Sequence, residues 1–192
     1  MTIKQVTQTA LKGILDFVSG GYAPYFIYAF EANRKARVTS PSNAAQFEIR
    51  TVGQTDVESA EHPKIREQAW YAGPGSRLYG CYEGDQLVGL CAYWYGERYR
   101  QRNFWPLRES EAKLVQVITV PEVRGRGVAS QLIARSAVDM LNDGFSRLYA
   151  RIWHSNRPSI KAFEKANWGR IALVVEMNPL RRKQPLKVRI PL

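Results

Sequence analysis

Glu111-Ala112-Lys113-Leu114-Val115-Gln116-Val117-Ile118-Thr119-Val120, then Pro121-Glu122-Val123-Arg124-Gly125-Arg126-Gly127, then Val128 to Asn142, is the stretch whose reading decides the fold. Up to Val120 it reads as a strand, because Val, Ile and Thr crowd a short segment that a proline stops. After Gly127 the period changes. Ala129, Leu132, Ile133, Ala137, Met140 and Leu141 recur at three- and four-residue spacing, which places them on one helical face, and Asn142-Asp143-Gly144 supplies a stop. Strand, glycine turn and helix in that order make an anion site. The glycines admit a ligand to the backbone, and the free N–H groups and positive dipole end of the helix favour negative charge. A dinucleotide fingerprint is disfavoured, since Ser130 stands where a third Gly or Ala belongs and Ile152-Trp153-His154 stand where an acid belongs. A nucleotide P-loop is disfavoured because Gly-Lys-Ser/Thr is missing.

Arg124-Gly125-Arg126-Gly127-Val128-Ala129 matches Arg/Gln-x-x-Gly-x-Gly/Ala and resembles the pyrophosphate loop of the GNAT superfamily of acyl-CoA-dependent N-acyltransferases. The downstream order resembles that family too. Leu148 to Trp153 reads as a strand, His154-Ser155-Asn156-Arg157-Pro158-Ser159 follows, and a short helix runs through Phe163-Glu164-Lys165. The resemblance covers about Glu111 to Met177.

Outward from this unit, Val6 to Val18 carries Val6, Ala10, Leu11, Ile14, Leu15 and Val18 on one helical face. Tyr25 to Phe30 is an aromatic run of strand character and Phe47 to Arg50 a shorter one, with a polar loop from Asn33 to Asn43 between them. His62-Pro63 opens a short helix through Trp70. Arg77 to Tyr82 and Leu87 to Tyr95 flank Glu83-Gly84-Asp85-Gln86, a hairpin signal. Beyond the strand at Phe145 to Trp153 come a helix over Pro158 to Ala166 and strands at Ile171 to Met177 and Leu186 to Ile190. Hairpins followed by one βαβ unit predict an α/β (α+β) domain with a mixed sheet and helices on its faces. The resemblance adds that the two parallel strands splay apart. The chain reads as one domain over 1–192, with 1–75 an N-terminal elaboration and 77–177 the core.

At 192 residues, such a domain buries roughly 70% of its unfolded surface. Cys81 and Cys91 form no metal-ligand pattern and no disulfide framework, which points to a reducing compartment and to core cysteines. The N-terminus has no signal-peptide core and no apolar run approaches a membrane span, so a soluble cytoplasmic protein is expected. The formal charge of +11 predicts attraction to anions.

The resemblance implies acetyl-CoA or another acyl-CoA as co-substrate, and no metal. It sets the pantetheine arm against Val117, Ile118 and Thr119, and the diphosphate on the N–H groups of Gly125, Arg126, Gly127, Val128, Ala129 and Ser130. Arg124 and Arg126 would add charge-assisted bonds, and Asn156, Ser159 and Phe163 would touch the cofactor. Family members often carry a Glu base on the strand before the turn; its commonest place aligns with Lys113, and Glu111 lies two residues away on the same face. Candidate base and acid groups are therefore Glu111, His154 and Tyr149. Many members place a Tyr acid seven residues after the Asn, where this chain has Phe163.

Between Gly96 and Arg108, Arg98, Arg100, Arg102 and Arg108 alternate with Tyr99, Phe104 and Trp105, and are expected to line the acceptor side. A small anionic amine suits them better than a protein acceptor, with the chain a monomer or homodimer. Two other classes are weighed against this one. A catalytically weak acyl-CoA sensor accounts for Phe163, and a nucleic-acid or membrane-surface binder would use the net charge and Arg181-Arg182-Lys183.

Overall fold

A computed structural model describes residues 22–31, 47–100, 103–178 and 185–192. The helix expected at Val6 to Val18, the loop Asn33 to Asn43, Arg102 and the Arg181-Arg182-Lys183 cluster lie outside those residues.

Short-range chemistry sets most elements. β3 (Ser76–Glu83) and β4 (Gln86–Trp94) form the expected hairpin, and Gly84 at its turn has φ +58°. β5 (Glu111–Thr119) ends one residue before the Val120-Pro121 break, and α4 (Val128–Asn142) follows the glycine turn. Then come β6 (Arg147–Trp153), α5 (Arg157–Lys165), β7 (Gly169–Met177) and β8 (Leu186–Pro191). Upstream are β1 (Tyr22–Glu31), β2 (Glu48–Val52), α1 (Gln54–Glu58) and α2 (Pro63–Arg66), with a 3-10 turn at Ala69–Tyr71. The single helix expected from His62 to Trp70 is thus two shorter pieces. His62 caps the first, its Nδ1 accepting from the Lys64 amide at 3.1 Å. Within Gly96 to Arg108, Gly96–Tyr99 forms α3.

The strands make one mixed sheet in the order β2-β3-β4-β5-β6-β1-β7-β8. Its only parallel pair among the described residues is β5 with β6. Helices cover both faces, as expected. Neighbouring β4 residues show this, since Tyr93 Oη meets Ser136 Oγ of α4 at 3.0 Å while Trp94 Nε1 donates to Tyr71 O on the other side at 2.9 Å.

β1, which falls in the stretch read as an N-terminal elaboration, sits inside the sheet, antiparallel to β6 (Phe26 opposite Ile152) and to β7 (Phe26 opposite Leu173). Its aromatic run explains why, because both faces are buried. Tyr25, Ile27 and Ala29 pack with Tyr149 on one side, and Tyr28 and Phe30 pack with Phe163 and Trp168 on the other. Full burial of each such side chain is worth about 1.5–3 kcal/mol.

Candidate active site

The site begins where β5 and β6 part. They pair in parallel only from Glu111 opposite Arg147 to Leu114 opposite Ala150. The next residue is a bulge: against β4 the register passes from Leu114 opposite Tyr93 to Gln116 opposite Ala92, leaving Val115 unmatched. An extra residue bends and twists its strand, and so accounts for the divergence. Val117, Ile118 and Thr119 remain bonded to β4 on one edge, with no β6 partner on the other.

Two cavities occupy the gap. The larger, about 800 Å³, has Val117, Ile118 and Thr119 as one wall, Arg124, Gly125, Gly127, Val128, Ala129 and Ser130 as its floor, and Ser159, Lys161, Phe163 and Lys165 of the α5 region opposite. The smaller, about 140 Å³, lies between Leu114 to Val117 and Ala150 to Trp153 and reaches Asn156, Ser159 and Phe163. Val117, Ser159 and Phe163 line both.

The floor owes its shape to the glycines. Gly125 and Gly127 have φ of +79° and +83°, a conformation that costs other L-residues about 1–2 kcal/mol. Gly127 is the N-cap of α4 and supplies no side-chain bond, so the first-turn amides face the cavity floor without a cap. The Arg126 amide is not available to a ligand, because it donates to Val123 O at 3.3 Å. Arg124, Lys161 and Lys165 make the lining cationic, and among the described residues no carboxylate lines it. Lys161 escaped the sequence reading; its signal was the i, i+4 spacing to Lys165 on a helix already placed beside the turn.

Several expected site residues lie elsewhere. Arg126 turns away to form a two-bond fork with Glu83, at 3.0 and 2.5 Å, and covers the Phe47 ring at 4.8 Å. The fork holds the Glu83 carboxyl below its ordinary range. Glu111 and Tyr149 bond to each other at 3.1 Å at the closed end of the parallel pair, and Glu111 also accepts from the Arg108 amide at 2.8 Å. Neither residue lines either of these two cavities. Burial, first of all, raises the Tyr149 phenol, which makes it a poor acid. His154 is exposed at the end of β6, with Nδ1 3.2 Å from Pro24 O, and lines neither cavity. Asn156 caps α5, accepting from the Ser159 amide at 3.2 Å, while also bordering the smaller cavity. Phe163 is wedged between Tyr28 and Trp168, with centroids 5.8 and 5.1 Å away.

Two of the arginines expected on the acceptor side, Arg98 and Arg100, have partners within the protein. Arg98 donates to Trp70 O at 2.6 Å and Ala72 O at 2.8 Å, and Arg100 pairs with Glu97 at 2.9 Å. The aromatics of that segment close over Lys113 instead. Tyr99 Oη accepts from the amides of Phe104 (2.8 Å) and Trp105 (3.0 Å) and donates to Trp105 O at 3.0 Å. Lys113, fully buried, donates to Tyr99 Oη and Trp105 O and lies 3.8 and 3.9 Å from the Tyr99 and Phe104 rings. Burial, reinforced by the nearby Arg151 charge, pushes its pKa down to about 5. The position that aligns with the family's base is therefore a sequestered amine whose charged form is disfavoured by burial.

Cys81 and Cys91 are buried free thiols, each pushed up to about 12 by burial, and hence inert. Among the described residues no three His, Cys, Asp or Glu gather as a metal site, and no helix is long and apolar enough to cross a membrane.

No curated protein matches the sequence. Among solved structures, the fold is shared by a GNAT-family acetyltransferase from Colwellia psychrerythraea (TM-score 0.56, 15% identity, covering 88% of this chain and 60% of that one). It is shared also by a putative GNAT acetyltransferase from Novosphingobium aromaticivorans (0.52, 21%, covering 82% and 64%) and by a Drosophila protein (0.55, 12%, covering 94% and 59%). The chain thus spans about three fifths of the length of these three structures. The family model of the acetyltransferase (GNAT) family matches residues 44–168, well over half of the sequence. With the glycine turn, the bulged strand and the parting of β5 from β6 all inside that match, the chain belongs to the GNAT acetyltransferase family.

Proposed function

We propose that the protein moves an acetyl or other acyl group from a coenzyme A thioester to the primary amine of a small anionic acceptor, by direct attack in a ternary complex. The observation that carries this reading is the cation-lined, carboxylate-free cavity running from the uncapped start of α4 to the open edge of β5. A diphosphate suits the first-turn amides together with Arg124, Lys161 and Lys165. The open edge at Val117 to Thr119 offers an amide-bearing arm the pairing that β6 withholds. An N–H there, aimed at the thioester oxygen, would stabilise charge developing in the transition state.

In the transfer, the acceptor nitrogen bonds to the carbonyl carbon, the C–S bond breaks and the thiolate leaves. An alkylamine has a pKa near ~10.4, so at neutral pH it must first lose a proton. Among the described residues no carboxylate, imidazole or phenol lines either cavity, so the ammonium's first proton and the second that the nitrogen gives up as the C–N bond forms both go to water, and the thiolate is protonated from water in place of the tyrosine that Phe163 replaces. The rate at subsaturating amine then rises with pH until the amine is neutral.

Calorimetric titration with acetyl-CoA, paired with release of free thiol across a panel of amines, tests the proposal. One equivalent of heat and amine-dependent thiol are expected. No heat, or heat without thiol for any amine, defeats it.

A further inference from the structure

We propose that Arg151 is the anchor of the acceptor: its guanidinium takes a carboxylate or phosphate on an amine whose apolar body lies against Trp153. This rests on the acyl-transfer reading and names what that site accepts.

Arg151 follows Ala150, the last β6 residue paired with β5, and lines the smaller cavity where the strands part. Ala150 and Ile152 on either side pack in the core cluster with α4 and α5, so Arg151 projects from the opposite face, with Tyr149 and Trp153. The opening therefore joins the cation-lined cavity on one face to Arg151 on the other. A thioester reaching through it from the first side meets an amine held on the second.

Arg151 also differs from four other arginines of the fold. Arg77, Arg126, Arg147 and Arg170 are each paired with a carboxylate, of Asp143, Glu83, Glu31 and Glu164. Arg151 has no ion pair among the described residues. It is held by aromatic rings, 5.4 Å from the Tyr25 centroid, 4.9 Å from Phe104 and 5.1 Å from Trp153. Rings fix the plane of the guanidinium and leave its fork of donors for a planar anion. Arg189, 4.2 Å over Trp105, acts with Arg151 on Tyr25 and so adds positive charge nearby; Glu176, which also acts on Tyr25, contacts Lys187 at 3.6 Å. Trp153, 42% exposed at the mouth of the opening, is an apolar platform beside the cation.

The test compares L-phenylalanine with phenethylamine, the same body with and without a carboxylate, as acceptors for acetyl-CoA. Binding to the CoA-loaded protein is followed in parallel by intrinsic tryptophan fluorescence. The wild type should favour phenylalanine, and Arg151→Ala should shrink that preference by about 10- to 100-fold, the span expected for losing a charge-assisted bond. Arg151→Lys should restore part of it. The amine's own reactivity cancels in the comparison of variant with wild type. Calorimetric affinity for CoA should stay within about twofold of wild type in both variants, because Arg151 lies outside the larger cavity. The proposal is overturned if the wild type shows no preference by turnover or binding, or if the preference survives in Arg151→Ala. Absence of heat with CoA in the wild type would instead remove the acyl-transfer reading beneath it.

Discussion

Replacing Lys113 with methionine should stabilise the protein at neutral pH and change how its stability depends on pH. In the folded chain Lys113 is fully buried, with its pKa pushed down to about 5, whereas an unfolded lysine titrates near ~10.4. Between those values the unfolded chain holds a proton that the folded chain lacks, so stability rises with pH, by about 1.4 kcal/mol per unit. Below about 5 both states are protonated and the penalty stays at its maximum; above about 10.4 it vanishes. At pH 7, about 3.4 units below the unfolded pKa, keeping the lysine neutral in the folded chain costs about 4–5 kcal/mol. Methionine has a similar length and no such cost. The substitution forfeits two hydrogen bonds from the amine, about 1 kcal/mol each, but strands no partner, because Tyr99 Oη and Trp105 O still bond to each other. A net gain of about 2–3 kcal/mol at pH 7 should fade to nothing near pH 9. Urea unfolding of wild type and Lys113→Met at pH 6, 7, 8 and 9 measures it. The opposing view is that the Tyr99 and Phe104 rings keep the lysine charged through cation–π attraction, worth about 2 kcal/mol when desolvated. It predicts a methionine variant that is less stable at every pH. Parallel pH curves for the two proteins would refute a neutral Lys113.

Three further outcomes follow from the site. Gly127→Ala, which puts a Cβ at φ +83° on the cavity floor, should cost about 1–2 kcal/mol in urea unfolding and weaken acetyl-CoA binding about tenfold by calorimetry; unchanged affinity would dissociate the turn from the cofactor. Glu111→Gln should lower stability by about 1–3 kcal/mol, since it disturbs bonds from Tyr149 and the Arg108 amide, while kcat for acyl transfer stays within about twofold of wild type; a hundredfold fall in kcat would restore Glu111 as a base. Phe163→Tyr should leave thiol release within about threefold of wild type, because water already serves the leaving thiolate, and a loss beyond tenfold would mean that the ring packs on the acyl chain or cofactor.

The local order of the site is legible in the residues alone. Pro121, the two glycines and the change from strand to helical period act over a few residues, and each produces the element it predicts. Asn156 opens α5 through its own side chain, also a short-range effect. The partners of charged side chains are not legible in this way. Arg126 and Arg98 read as ligand-facing cations, yet one reaches Glu83 and the other the carbonyls of Trp70 and Ala72, groups 43, 28 and 26 residues away in sequence. Glu111 shares a strand face with the expected base position, but its contact with Tyr149 depends on where the parallel pairing begins.

By itself, then, the sequence determined the strand, turn and helix that face an anion, because dihedral preference and periodicity are properties of adjacent residues. Only the tertiary structure decided that β1 enters the sheet between β6 and β7, that Val115 bulges where the strands part, that Lys113 is sealed from solvent and that Arg151 has no ion pair among the described residues beside the opening. Those outcomes depend on which distant surfaces bury each other, a choice made by the summed packing of the whole sheet rather than by any one stretch of chain.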